Sequence, residues 1–389
     1  MATVAAPRYR PIGKINHDHS AAWRHLDLVL LATVAAISGL GLLMVYSATR
    51  GIEQPYDTSY VTKQFMYFVL GVTAMAGVAM VDYRRIRDLG PFIYGASILL
   101  LVLVRSPLGS RQNGTQGWFQ IGPFQLQPSE IAKLGLIIGF AWMASQFRGE
   151  IDGRRFVALL AVGALPMALV MLQPDLGTTL VSAAITLVLL VLAGSRPRQL
   201  VLLGIGAAIM IGAVLHSGLL GSTQQDRLTS FVNQDQAPKV DLSDASSAEY
   251  NLRQSKIAIG SGGWTGKGVF NGTQTRLNNV PFQHTDFIFT AVGEQLGLVG
   301  AASLLAAFSI MVWRILRTAQ LARDDFGMLV CAGILAMFVF QIFENVGMTM
   351  GIMPITGIPL PFMSYGGSST ITYLVAIGLV LNVHMRRFA

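Results

Sequence analysis

Val280-Pro281-Phe282-Gln283-His284-Thr285-Asp286-Phe287-Ile288-Phe289 is where the chain changes character. A long, polar, Gly-rich segment runs into it, and an apolar run of membrane-spanning length leaves it. His284 and Asp286 therefore stand where water meets hydrocarbon, with Asp286 expected at or just inside the first turn of the departing helix. An ionisable side chain at that depth is costly and marks a functional site by default. The rest of the chain reads as a scaffold that carries this point.

Apolar runs of similar length recur outward from it, from residue 28 to the C-terminus. Of 389 residues, 52% are hydrophobic and only 12% charged, against about 25% charged in soluble proteins. Mean hydropathy is +0.54. The expected fold class is an all-α polytopic membrane protein of about ten transmembrane helices. The spans fall near 28–47, 63–81, 90–105, 128–147, 155–172, 176–193, 198–216, 286–313, 326–350 and 368–385. The formal charge of +8 does not point to nucleic acid, because the charges cluster in short loops between apolar runs. Cys331, the only cysteine, lies inside an apolar run, which excludes a disulfide framework and a Cys-based metal site. Leu28–Tyr46 is longer than the h-region of a signal peptide, so it is expected to remain as the first span.

Lysines and arginines set the orientation. Arg8, Arg10, Lys14 and Arg24 precede the first span, and Arg84, Arg85, Arg87, Arg154, Arg155, Arg196, Arg198, Arg314 and Arg317 fall in loops on the same side. The short loops opposite carry only Arg50, Lys63, Arg105 and Arg111. Both termini are expected to be cytoplasmic, with Asp286 facing outward. The organisation that follows is a cytoplasmic tail (1–27), seven spans (28–216), a large extracytoplasmic loop (217–285), three spans (286–385) and a short cytoplasmic end (386–389).

Two segments interrupt the helical pattern. In the large loop, 234–247 is rich in Asp, Ser and Ala and reads as mobile, while 250–259 suits a short interfacial helix. Then comes Gly260-Ser261-Gly262-Gly263-Trp264-Thr265-Gly266-Lys267-Gly268, with five glycines in nine residues. Its backbone amides are suited either to approach an anion or simply to turn against the membrane surface. Between the last two spans, 351–367 holds three prolines and four glycines among apolar side chains and no charge. Such backbone is tolerated at membrane depth only where protein or a wet cavity satisfies it. A re-entrant loop fits; an ordinary outer loop is the alternative.

Candidate chemistry centres on Asp286, as a base or as a helix cap, with His284 beside it. Glu130 and Lys133 share one helix face in Gln127-Pro128-Ser129-Glu130-Ile131-Ala132-Lys133. They form either a structural ion pair or a site where Lys133 neutralises a phosphate-bearing ligand. Asp175, in Gln173-Pro174-Asp175-Leu176-Gly177-Thr178, suits turn and cap chemistry. Lys256, Lys267 and Arg276 are cations for a pyrophosphate, or solvated surface charges. Glu344, inside the ninth span, is expected to pair within the bundle. These features suit a lipid-phosphate glycosyltransferase, and equally a transporter or lipid flippase.

Pro361-Phe362-Met363-Ser364-Tyr365-Gly366-Gly367-Ser368-Ser369, Gln173-Pro174-Asp175-Leu176-Gly177-Thr178, Gln127-Pro128-Ser129-Glu130-Ile131-Ala132-Lys133 and His284-Thr285-Asp286-Phe287 resemble, in order, the signatures of the SEDS family (shape, elongation, division and sporulation). Pro354-Ile355-Thr356-Gly357-Ile358-Pro359-Leu360-Pro361 is more similar to the elongation branch (RodA-like) than to the division branch (FtsW-like). One departure is Gln116, where the family more often has Arg before the Trp; Trp118 itself matches.

The resemblance implies a GT-C-like bundle in the bacterial cytoplasmic membrane that acts as a peptidoglycan glycosyltransferase on lipid II. It implies as partners a class B penicillin-binding protein, engaged through transmembrane helices and outer loops, and other elongation-complex proteins. Asp286 becomes the catalytic base. Lys133, Glu130, Trp118, His284, Lys256, Lys267, Ser364 and Tyr365 become substrate-binding candidates, and Asp175, Pro354, Gly366 and Gly367 turn residues. No resident metal site is implied, although a divalent cation (Mg or Mn) would suit a pyrophosphate leaving group. Lipid II flipping is the alternative activity.

Overall fold

Apolar runs become helices because each unpaired backbone group costs several kcal/mol in hydrocarbon, and a helix pairs them within itself. The computed structural model describes residues 25–50, 56–112, 115–122, 124–147, 151–216, 231, 248–277 and 279–387. The Asp-, Ser- and Ala-rich stretch 234–247 and most of the N-terminal tail lie outside them.

In order, the helices are α1 (Leu28–Thr49), α2 (Ser59–Met80), α3 (Tyr83–Asp88), α4 (Gly90–Leu103), α5 (Pro128–Ser145), α6 (Gly153–Met171), α7 (Leu176–Leu192) and α8 (Pro197–His216). They continue with α9 (Ala248–Gly262), α10 (Thr273–Arg276), α11 (Ile288–Gln320), α12 (Asp325–Met350) and α13 (Gly367–Met385). Among the described residues α1, α2, α6, α11, α12 and α13 are long and apolar enough to cross a membrane, and α4, α7 and Pro197–Ile209 are shorter apolar helices. The protein is a multi-pass helical membrane protein.

α12 and α13 are buried along most of their length, while α2 and α6 leave most of theirs outward. The central pair therefore carries whatever the bundle positions. Aspartates start several helices: Asp27, Asp175 and Asp324 accept hydrogen bonds from Leu30 N, Thr178 N and Gly327 N. α11 runs past the expected end at 313. Arg314, within this extension, places its guanidinium 2.7 Å from the buried Asp27 carboxylate, tying the start of α1 to α11.

A small antiparallel sheet, which the all-helical expectation lacks, fills the loop between α4 and α5. Its strands are β1 (Ser110–Gln112), β2 (Thr115–Ile121) and β3 (Phe124–Leu126), in that order across the sheet. Phe119 pairs with Leu126 and Ile121 with Phe124 across the turn at Gly122. The signal was a short β-propensity run broken by Gly-Pro.

The segment between α12 and α13 is non-helical, exposed at Ile352 and largely buried from Ile355 to Ser364. Leu360 and Met363 are inaccessible, and Ile358, Phe362 and Ser364 nearly so. α1 approaches it so closely that a Cβ at Gly41 would lie 2.5 Å from the Phe362 carbonyl. An ordinary outer loop would not be sealed in this way; residues 355–364 are packed among the helices, the burial that a re-entrant segment requires.

Candidate active site at the mouth of α11

Residues 281–287 are a series of turns, and α11 begins only at Ile288, with Phe287 as its N-cap and no side-chain cap. Asp286 thus sits two residues before the first helical residue, not inside the first turn. Phe282, at φ 54°, reverses the chain and accepts from the amides of Thr285 and Phe287. These turns delay the helix.

Three contacts fix the turn from different elements. Asn345 of α12 donates its side-chain amide to the Asp286 carbonyl and to the Ile358 carbonyl, each at 2.7 Å. The Tyr365 amide donates to the His284 carbonyl at 2.9 Å. The buried Gln283 donates to Thr275 Oγ1 and Thr290 Oγ1, both at 3.1 Å. Asp286 itself is half-buried.

His284 packs edge-on against Tyr60, with ring centroids 5.0 Å apart, and lies 5.8 Å from Tyr365. Burial pulls its pKa below the ordinary 6.5, so the ring is neutral near pH 7.

Glu130 and Lys133 occupy the first turns of α5, started by Pro128. They pair at 2.7 Å with side chains 3% and 1% exposed, so this pair is desolvated. Lys133 stands 5.5 Å from the Tyr373 ring centre, and the Tyr373 hydroxyl accepts from Gln341. The second Glu130 oxygen has no hydrogen-bond partner among the described residues.

The re-entrant segment is laced to both. Gln64 of α2 donates to the Ser364 carbonyl and accepts from the Gly366 amide. Ser364 Oγ accepts from Leu360 N. Ser368 donates to the Gln125 carbonyl and accepts from Gln127 N, joining the start of α13 to β3 and to the entrance of α5. Gly367 lies against the Tyr67 ring. Pro354 is half-buried after Gly351, which ends α12 in a left-handed conformation. Trp118 is half-buried in β2, its carbonyl accepting from Ser110 Oγ. Asp175 caps α7 through Thr178 N and Thr178 Oγ1.

The large-loop cations sit otherwise. Lys256 is exposed on α9. Lys267 donates to Glu294 at 3.0 Å and to Thr273 at 2.7 Å. Nor do the Gly-rich amides form an open anion cradle. α11 breaks at Gly297 (φ 66°), and the glycine segment is spliced into the break. Lys267 N and Gly268 N donate to the Glu294 and Gln295 carbonyls, while Leu298 N and Val299 N donate to the Gly263 and Trp264 carbonyls. Each half of the broken helix thereby recovers partners for its orphaned backbone groups. A Cβ at Gly266 would fall 2.2 Å from the Gln295 carbonyl, and one at Gly297 would fall 2.3 Å from Gly266 N.

Asn345, Gln64 and Glu294 are the residues that motif reading missed. Their signal was present: amide and carboxyl side chains in or beside apolar runs, each needing an internal partner.

A non-helical segment packed among helices, a carboxylate at a helix mouth and a buried ion pair at the start of α5 define a polytopic membrane protein with polar groups set into its bundle. Residues 27–388 match the cell cycle protein family of FtsW, RodA and SpoVE. The chain is 35% identical to stage V sporulation protein E of Bacillus subtilis, covering 92% of this chain and 96% of that one. It is 33% identical to peptidoglycan glycosyltransferase MrdB of Escherichia coli K12, over 93% and 94% of the two chains. Among solved structures, a chain of a peptidoglycan synthase complex that coordinates polymerization and crosslinking superposes with a TM-score of 0.78 at 30% identity, covering 93% of this chain and 98% of that one. Thermus thermophilus RodA gives 0.70 at 30% identity, covering 94% and 99%. The chain belongs to the SEDS family. Relatives of nearly equal identity include sporulation, division and elongation proteins, so these comparisons do not divide the RodA-like from the FtsW-like branch.

Proposed function

We propose that this chain is a peptidoglycan glycosyltransferase that polymerises lipid II into β-1,4-linked glycan strands at the outer face of the cytoplasmic membrane. Relatives named peptidoglycan glycosyltransferase MrdB and RodA support this activity and its elongation role, as do the residues 354–361. The synthase complex among the structural matches supports a class B penicillin-binding protein as partner. The distribution of Lys and Arg favours cytoplasmic termini and an extracytoplasmic Asp286.

One observation carries the mechanism: a half-buried Asp286 at the mouth of α11, whose backbone is pinned by Asn345 of the buried α12. Asp286 acts as general base on the 4-hydroxyl of the acceptor sugar. The oxygen attacks the anomeric carbon of the donor, inverting its α-pyrophosphate linkage to a β-glycosidic bond, and undecaprenyl pyrophosphate leaves. A base within hydrogen-bond reach contributes about 10²–10⁴ in rate. Lys133 is the first cation for the departing charge and Lys256 the second; Lys267 is held by Glu294. Neutral His284 and Tyr365 wall the site beside the base.

A divalent ion does not find a ready-made cage. No group of three His, Cys, Asp or Glu side chains comes together among the described residues. Mg²⁺ is often held by one or two carboxylates together with substrate phosphates, so any ion would sit chiefly on the pyrophosphate, and no step above is routed through it.

The test is strand formation by the purified protein with its penicillin-binding partner and lipid II. Asp286→Asn should abolish strands while the protein stays folded, and full activity in that variant would remove the base. Translocation of labelled lipid II in vesicles without a new glycosidic bond would favour a flippase instead.

A further inference from the structure

Glu294 lies two turns into α11, is inaccessible to solvent, and belongs to neither the Asp286 turn nor the Lys133 pair. Five donors converge on its carboxylate. Oε1 accepts from Lys267 Nζ (3.0 Å), Thr273 Oγ1 (3.2 Å) and Gln274 N (2.8 Å). Oε2 accepts from Thr275 N (2.9 Å) and Thr275 Oγ1 (2.7 Å). Only an ionised carboxylate has the acceptor capacity for this set, since a protonated one would itself need an acceptor.

The arrangement also has a direction. Thr275 commits its single hydroxyl proton to Glu294, which leaves its oxygen lone pairs to accept from Gln283 Nε2. Gln283 gives its other amide proton to Thr290, which donates onward to the Phe287 carbonyl. Each donor and acceptor role from Thr275 to Phe287 is thus set by the charge at Glu294. Gln283 and Phe287 flank Asp286 in one turn.

We propose that Glu294 is a positioning residue for the reaction: through Thr275 and Gln283 it fixes the turn that carries Asp286. The inference rests on Asp286 being the base. A neutral amide at position 294 would present its own N–H groups to the Thr275 donors. The Thr275 hydroxyl would then turn round, and Gln283 would lose its acceptor. Because a misplacement of about 1 Å can cost roughly 10²-fold in rate, the loss should appear in turnover rather than in substrate binding.

The experiment uses the full chain, purified with its penicillin-binding partner, and labelled lipid II. Turnover and KM are measured for Glu294→Gln, Thr275→Val and the double variant, with Asp286→Asn alongside. Each single variant should lower kcat roughly tenfold to a hundredfold with KM within about threefold of wild type. The double variant should be no worse than the weaker single, as expected for residues acting in one chain. Thr275→Val exchanges a hydroxyl for a methyl and carries the test should Glu294→Gln fail to fold. Wild-type turnover in Thr275→Val beside an inactive Asp286→Asn overturns this inference alone, as do losses that multiply or fall on KM. A fully active Asp286→Asn overturns the base reading and the inference with it.

Discussion

The side-chain amide of Asn345 donates both its protons to main-chain carbonyls, one of Asp286 and one of Ile358. It couples the turn that carries Asp286 to the segment between α12 and α13 through one buried helix. Replacing Asn345 by Leu leaves both carbonyls short of a partner in a buried site, at about 1–3 kcal/mol for each. Strand synthesis should fall at least tenfold, measured on gels of labelled glycan, while the protein still purifies as a folded species. Asn345→Asp, which keeps the shape but loses both donors, should be at least as impaired.

The Glu130–Lys133 pair separates a structural role from a chemical one. Removing one member leaves a buried charge without its counterion, a loss of about 3–5 kcal/mol. Lys133→Met and Glu130→Gln should each lower the thermal midpoint in detergent. The double variant restores neutrality and should recover most of that midpoint. Strand synthesis should stay absent in it, because the cation proposed to meet the pyrophosphate is gone; recovered synthesis would reduce the pair to scaffolding.

Much of this was legible from residue pattern. Span-length apolar runs surfaced as helices because hydrocarbon permits little else, and Asp286, Glu130 and Lys133 stood out because charge is rare there. What stayed hidden were contacts between distant segments. Nothing near Asn345 says that it reaches 59 residues back to Asp286. Gly260–Gly268 satisfied the local requirements of an anion loop as well as those of a splice, and only the break at Gly297, far along the chain, decides between them. Lys267 looked available because its partner Glu294 was itself unremarked within an apolar run.

His284 supplies a pH test. Its pKa is lowered by burial, so the folded state binds the proton less readily than the unfolded state does. The stability this neutral ring contributes is fully present above the ordinary value of 6.5 and is lost as pH falls toward the lower folded value. Thermal melts between about pH 5 and pH 8 should therefore show wild type losing stability on the acid side. In His284→Phe that acid-side slope should be shallower, and an unchanged slope would place the titration elsewhere.

The broken helix gives the sharpest structural prediction. Gly297 adopts φ 66°, where a side chain is strained, and its missing Cβ leaves the room that Gly266 N occupies. Ala at 297 would have to straighten α11, and straightening it withdraws the Leu298 and Val299 amides from Gly263 and Trp264. The Glu294 and Gln295 carbonyls would then turn back to their own helix, and the Gly-rich segment would lose its seat. Gly297→Ala and Gly266→Ala should each lower the thermal midpoint and loosen the segment 263–276, read as faster amide exchange there. Because both act on one splice, the double variant should lose less than the two single losses combined. Full additivity, or protection of 263–276 equal to wild type in Gly297→Ala, would show that the segment is held by something other than the break.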